Sequence, residues 1–107
     1  RKRADYIEDS FETQSKDALI RIKPFLITRQ KVSNAILREL RNQTKKFIIS
    51  RTTIRTSREL FADVMSDKLQ KEIAAKLKKI YPLSLAEIRM VQIVGKVDSK
   101  EEPQKEQ

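Results

Sequence analysis

The chain has no cysteine, no histidine and a single glycine, Gly95. Without cysteine there are no disulfides and no thiolate chemistry, which fits a reducing, cytoplasmic setting. Without histidine the commonest general base and metal ligand is missing, and acid or base roles would fall to carboxylates or lysines. The carboxylates are scattered at turns and helix starts, where capping explains them better than catalysis. Nowhere do Asp and Glu recur at calcium-loop spacing, and one glycine cannot build a P-loop or a dinucleotide-binding fingerprint. No apolar run approaches the roughly 18–20 residues of a membrane span, and no signal-peptide core follows Arg1-Lys2-Arg3. These absences predict a protein that is not an enzyme and takes no cofactor, no metal and no small-molecule substrate.

What the chain has in excess is positive charge, and the excess is regional. Between Ile20 and Leu60 stand eleven basic residues, Arg21, Lys23, Arg29, Lys31, Arg38, Arg41, Lys45, Lys46, Arg51, Arg55 and Arg58, against two acids, Glu39 and Glu59. That window alone accounts for the net charge of +9, and everything outside it sums to zero. Concentrated cationic charge of this kind is the electrostatic footprint of a phosphate-binding surface, with a solvated charged face as the plain alternative.

At 107 residues the chain is one domain's worth and buries roughly 60–65% of its unfolded surface. With 38% apolar and 36% charged residues it is polar for a globular protein, but has enough apolar side chains for a modest core. Residues 1–97 read as a single α+β domain, with a β-hairpin, two to three helices and a C-terminal strand in two layers. The opening residues look like the end of an element and the chain does not begin with Met, so an N-terminal portion is expected upstream. Residues 98–107, charged and almost free of apolar side chains, read as a disordered tail.

In chain order, Tyr6, Ile7 and Phe11 give a weak strand signal, and the aromatic pair Tyr6 and Phe11 is expected in the core rather than stacked on bases. Gln14 to Asp17 supplies turn chemistry. Ala18 to Thr28 alternates as a half-buried strand that should pair with the first segment. Pro24, lacking a donor N–H, implies an edge position or a bulge, after which Phe25 and Ile27 are expected to take over the inward phase. Ser33 or Asn34 caps a predicted helix to about Ile49, with Ile36, Leu37, Leu40, Phe47 and Ile48 at helical spacing. Ser50 to Arg55, with Thr52, Thr53 and Ile54, is expected to be a loop carrying Arg51 and Arg55. Thr56-Ser57-Arg58-Glu59 has the capping-box pattern and starts a second helix that should pause near Ser66. Asp67-x-x-Gln70 resembles a further cap, before the stripe Leu69, Ile73, Leu77 and Ile80, which Pro82 ends. Leu85 to Val94 alternates as a last strand, with Ala86, Ile88, Met90 and Val94 on one face, and Gly95 is expected to stop it.

Arg38, Arg41 and Lys45 fall at i, i+3 and i+7 and form one cationic ridge. With Asn34 and Asn42 they project from one broad side of the first helix, and these side-chain types bind phosphate, sugar and base edges. Lys46 and the loop residues Arg51, Arg55 and Arg58 extend the candidate RNA-binding set. Other uses remain open at this point. The ridge suits a free-standing DNA-binding module with its helix in the major groove, and the Leu69, Ile73, Leu77 stripe suits a protein–protein adaptor. The lysines of the third helix, Lys68, Lys71, Lys76, Lys78 and Lys79, could meet an acidic membrane, but clustered arginines favour bidentate phosphate contacts, so no membrane partner is expected.

Lys78-Lys79-Ile80-Tyr81-Pro82-Leu83, followed by Glu87-Ile88-Arg89, resembles the C-terminal signature of a small-subunit ribosomal protein family. This is the archaeal and eukaryotic family numbered "three-a", also called eukaryote-type protein one, and the chain is archaeal-like. The similarity runs over roughly residues 4 to 95 and corresponds to the second half of family members, which carry a further strand-rich N-terminal region. The resemblance implies a structural constituent of the small ribosomal subunit near the messenger exit, with ribosomal RNA, neighbouring ribosomal proteins and messenger RNA as partners and with no cofactor or catalytic residue. By position Arg29, Gln30 and Lys31 match the family's basic passage between strand and helix, and so become the first candidates for RNA contact. The departure is at the hairpin turn, where relatives often show Lys-Asp-Gly and this chain has Lys16-Asp17-Ala18.

Overall fold

The computed structural model describes residues 4–96, so the basic lead-in at residues 1–3 and the tail expected at 98–107 lie outside the described residues. The centre of the sheet is set by a run whose even-numbered residues are small or apolar. Three strands come first, β1 (Tyr6–Glu8), β2 (Phe11–Gln14) and β3 (Ala18–Thr28), followed by the helices α1 (Asn34–Thr53), α2 (Ser57–Met65) and α3 (Lys68–Leu77) and the strand β4 (Leu83–Lys96). The fold is the expected α+β class, with three helices laid against one antiparallel sheet.

In β3, Ala18, Ile20, Ile22, Pro24, Leu26 and Thr28 are all buried while Arg21 and Lys23 face out. The inward phase therefore does not pass to Phe25 and Ile27, as expected from the proline, because the even-numbered residues keep it to the strand's end. Phe25 is instead buried on the outer face, under Tyr6 and with the Arg89 guanidinium 4.0 Å from its ring centre.

Pro24 sits in the central strand, not at an edge. Tyr6 pairs with Ile27 and Phe11 with Ile22 in one continuous register, so β1 and β2 are two halves of a single lane broken at Asp9 and Ser10. The break lies opposite the proline. The Asp9 N–H donates to the Pro24 carbonyl at 3.3 Å, but proline has no N–H to return the bond. On the opposite edge of β3, the register with β4 shifts between Leu19 and Ile20, between Lys23 and Pro24, and between Ile27 and Thr28. Each shift leaves one β4 residue unopposed, so β4 carries three bulges. The middle one, at Arg89, reverses the phase: Ala86 and Ile88 lean on the core before it and Val91 after it, while Met90 turns out beside Lys23. The regular alternation read through Met90 and Val94 fails for that reason, and the strand runs through Gly95 to Lys96.

The hairpin turn needs no glycine. Asp67 is the only non-glycine residue with positive φ among the described residues, so Ser15 to Asp17 take ordinary backbone angles. The Ser15 N–H donates to the Ala18 carbonyl at 2.8 Å, and the Ser15 hydroxyl accepts the Ala18 N–H at 3.0 Å.

Ser33 caps α1, its hydroxyl accepting the Ile36 N–H at 3.2 Å. The helix continues past Ile49 to Thr53, through residues read as a loop. Thr52 explains the difference by repeating what Thr44 does earlier in the helix. Leu40, Thr44, Ile48 and Thr52 form the buried stripe, and the Thr44 and Thr52 hydroxyls donate to the Leu40 and Ile48 carbonyls at 2.7 Å each. Satisfied in this way, a β-branched hydroxyl residue packs inward with only a small helix penalty. The expected capping box starts α2: Glu59 N–H to the Thr56 hydroxyl at 3.2 Å, and Thr56 N–H to the Glu59 carboxylate at 3.0 Å.

The start of α3 is different. Asp67 adopts the left-handed conformation (φ 65°) and makes no side-chain cap bond, because only Ser66 and Asp67 separate two helices that must change direction. Gln70 does not complete a capping box; its amide donates to the Val64 carbonyl at 3.1 Å. The core lies between the layers, where Ile20, Ile22, Leu26, Leu40, Ile48, Leu60, Leu69, Ile73 and Leu77 are essentially sealed from solvent.

Candidate nucleic-acid interface

The corner between β3 and α1 is held by short-range chemistry. The Thr28 hydroxyl accepts the Asp5 N–H at 2.9 Å and lies 2.7 Å from the Gln30 carbonyl, while the Asp5 carboxylate accepts the Val32 N–H at 2.9 Å. These bonds fix the backbone. The side chains of Arg29, Gln30 and Lys31 are left exposed, and Lys31 has only a long contact, 3.8 Å, to Asp5.

Along α1, Asn34, Arg38, Arg41, Asn42, Lys45 and Lys46 are all exposed, so the predicted ridge exists on the solvent side of the helix. Two of its members touch the broken edge lane. The Arg41 Nε is 3.7 Å from the Asp9 carboxylate, and the Lys45 ammonium stands 5.5 Å above the Phe11 ring. Phe11 packs against the core as expected. Tyr6 does not: it is 65% exposed at the outer edge, because the pleat places it opposite Ile27 on the face that carries no helix.

Of the two arginines expected on a loop, only Arg55 lies on one, between α1 and α2, and both have intramolecular partners. Arg51 is in the last turn of α1, 2.7 Å from Glu72 of α3 and 5.4 Å from the Phe47 ring. Arg55 makes a two-pronged bond with Asp63 at 2.9 and 3.0 Å, in which the carboxylate side chain is only 9% exposed. Asp63 accordingly holds the Arg55 guanidinium more firmly protonated than usual, chiefly through that hydrogen bond. Arg58, the second residue of α2, is exposed.

A second carboxylate organises the same corner. Asp17, from the hairpin turn, accepts the Ser57 N–H at 2.8 Å and the Ser57 hydroxyl at 3.0 Å, and also the Ser15 hydroxyl at 3.0 Å. The Ser57 backbone bond is the largest cause holding its pKa below the ordinary carboxylate value, while desolvation opposes it. A turn on the sheet thus supplies an acceptor to the free N–H groups at the start of α2.

The lysines of α3 enlarge the cationic surface beyond the candidate window. The Lys76 ammonium reaches 5.9 Å from the Phe47 ring, on which Arg51 also rests, so cations of α1 and α3 meet around one aromatic side chain. A linear charge sum hides this. It sets Lys68, Lys71, Lys76, Lys78 and Lys79 against acids such as Glu8, Glu12 and Glu87, which lie on the sheet. The stripe Leu69, Ile73 and Leu77 is 1% exposed at each position, so the adaptor reading loses its surface. Among the described residues no helix is long and apolar enough to cross a membrane, and no group of three or more carboxylates gathers at one point.

Comparison with known proteins bears on what such a surface serves. The model of the ribosomal S3Ae family matches residues 1–97. A curated relative, "Small ribosomal subunit protein eS1" of Desulfurococcus amylolyticus, is 26% identical over 89 residues, covering 82% of this chain and 42% of the relative. The chain therefore spans less than half the length of that relative.

Proposed function

Because this chain belongs to the ribosomal S3Ae family, we propose that it is a structural constituent of the small ribosomal subunit that binds ribosomal RNA and thereby supports translation in the cytoplasm. The role is scaffolding, not catalysis. Neighbouring ribosomal proteins are further partners, and messenger RNA near the exit is one more.

The observation that carries the RNA-binding reading is the division of labour among the charges. The acids of the described chain are largely engaged within it: Asp5 and Asp17 by backbone N–H groups, Asp63 and Glu72 by Arg55 and Arg51, Glu12 and Glu87 by Arg21 and Arg89. The exposed cations Arg29, Arg38, Lys46 and Arg58 have no carboxylate within salt-bridge distance among the described residues, while Lys31 and Arg41 have only contacts near the limit of that distance. Such groups are free to neutralise phosphates, with Arg51 and Arg55 serving to hold the helices that present them.

Binding to structured RNA should then fall by about 10³- to 10⁵-fold between roughly 50 and 200 mM salt if about six to ten phosphates are neutralised. Replacing Arg38, Arg41 and Lys45 together by Ala should flatten the log–log salt slope by about one for each phosphate left without its cation, with the melting temperature little changed. Salt-insensitive binding, or duplex DNA competing as well as structured RNA, would overturn this reading. Cosedimentation with small ribosomal subunits tests the assignment to the particle.

A further inference from the structure

Beside Tyr6, between the edge lane and the first turns of α1, lies an open hollow of about 220 Å³ lined by Tyr6, Ile7, Asn34, Leu37, Arg38 and Arg41. It is smaller than the roughly 300–1,000 Å³ of clefts that enclose drug-sized ligands, and its walls differ in chemistry. Ile7 and Leu37 make an apolar floor. Tyr6 forms the outer lip, where the edge lane meets the helix-free face, and its ring is 65% exposed and tilted against Phe25 with ring centres 5.7 Å apart. Arg38 and Arg41 stand on the rim, the second steadied by its 3.7 Å contact with Asp9.

The backbone contributes too. The Thr28 N–H donates to the Asp5 carbonyl and the Asp9 N–H to the Pro24 carbonyl, so alternate residues of this lane face β3. Tyr6, lying between them in phase, turns its own N–H and C=O to the free edge. The hollow thus combines a flat ring, an apolar floor, a side-chain amide, an open backbone donor and acceptor, and two guanidinium groups.

These are the elements that hold an unstacked base: an aromatic platform, hydrogen-bonding groups for the base edge, and cations for the adjoining phosphates. We propose that this hollow receives one unpaired nucleotide of an RNA strand, its base stacked on Tyr6 and its phosphates on Arg38 and Arg41. The site deepens the RNA-binding reading and rests on it. It also assigns Tyr6 a role that charge alone does not suggest.

The test compares a single-stranded oligouridylate with a blunt-ended RNA duplex, both across the same series of salt concentrations. Tyr6→Ala should weaken oligouridylate binding by roughly 5- to 150-fold, the equivalent of about 1–3 kcal/mol for one stacked base. Duplex affinity and the salt slope should stay as in the unaltered chain, and Tyr6→Trp should retain single-strand binding. Tyr6→Leu, which still covers Phe25, must share the defect of the alanine variant, so that a folding failure of the latter leaves the outcome readable. Unchanged single-strand affinity in Tyr6→Leu, or an equal loss for duplex and single strand, overturns the proposal. If the unaltered chain binds only the duplex, the hollow is not a nucleotide site while the broader reading stands. Binding to neither RNA overturns both.

Discussion

Asp17 carries more of the structure than its place in a surface turn suggests, because one carboxylate joins the hairpin turn to the start of α2 through Ser57 and Ser15. Its folded pKa lies below the ordinary carboxylate value, so the ionised form is favoured by folding and its contribution is fully present above the unfolded value of about 3.9. The contribution is lost as the pH falls through the lower, folded value. Thermal melts taken from about pH 5 down to pH 2 should therefore decline less steeply in Asp17→Asn than in the unaltered chain, and the variant should be less stable at neutral pH. Two other residues point the opposite way. The Thr13 hydroxyl is buried without a partner, so Thr13→Val should stabilise by about 1 kcal/mol in denaturant unfolding. Asp67, held left-handed at φ 65°, should gain about 0.5–1 kcal/mol on replacement by Gly, which adopts that conformation without strain.

At the level of elements, Pro24 is the one residue that divides a strand. Replacing it by Val restores an N–H opposite the Asp9 carbonyl, and β1 and β2 should then join across Asp9 and Ser10. Hydrogen exchange would report this as a newly protected amide at position 24; rapid exchange there would mean that the bulge in β4 keeps the lane apart even without proline. In α1 the stripe of Leu40, Thr44, Ile48 and Thr52 is fully buried, with Ile36, Leu37 and Phe47 partly buried beside it. Ile48→Ala should accordingly cost about 2–5 kcal/mol, as for other sealed aliphatic side chains, whereas Lys46→Ala on the opposite side should leave stability within about 0.5 kcal/mol.

Across the molecule, what the sequence made legible depended on whether its cause was local. The caps of α1 and α2 were readable because Ser33 and Thr56 bond groups three residues away. The class of fold and the ridge at Arg38, Arg41 and Lys45 followed from periodicity. The phase of β4 was not readable, because its bulges answer to the pairing with β3 and to Pro24, far off in sequence. Arg51 and Arg55 looked like free loop cations since Glu72 and Asp63, which engage them, belong to other helices. Tyr6 looked like core because a three-residue strand carries too little pattern to show which face the helices cover. Arg55→Ala, which strands the nearly buried Asp63, should lower the melting temperature, while Arg58→Ala should not.

The three bulges of β4 have a consequence for solubility. Among the described residues this fourteen-residue strand has β3 on one side and no strand on the other, which leaves about 46 Å of backbone at its rise of roughly 3.3 Å per residue. A straight edge of that length would template the addition of a foreign strand, and so the growth of aggregates. Here the pleat slips at Ser84, Arg89 and Val94, and no regular strand can keep its hydrogen bonds in step across more than one interval. The same irregularities that hid the strand's phase protect the chain from joining its neighbours edge to edge.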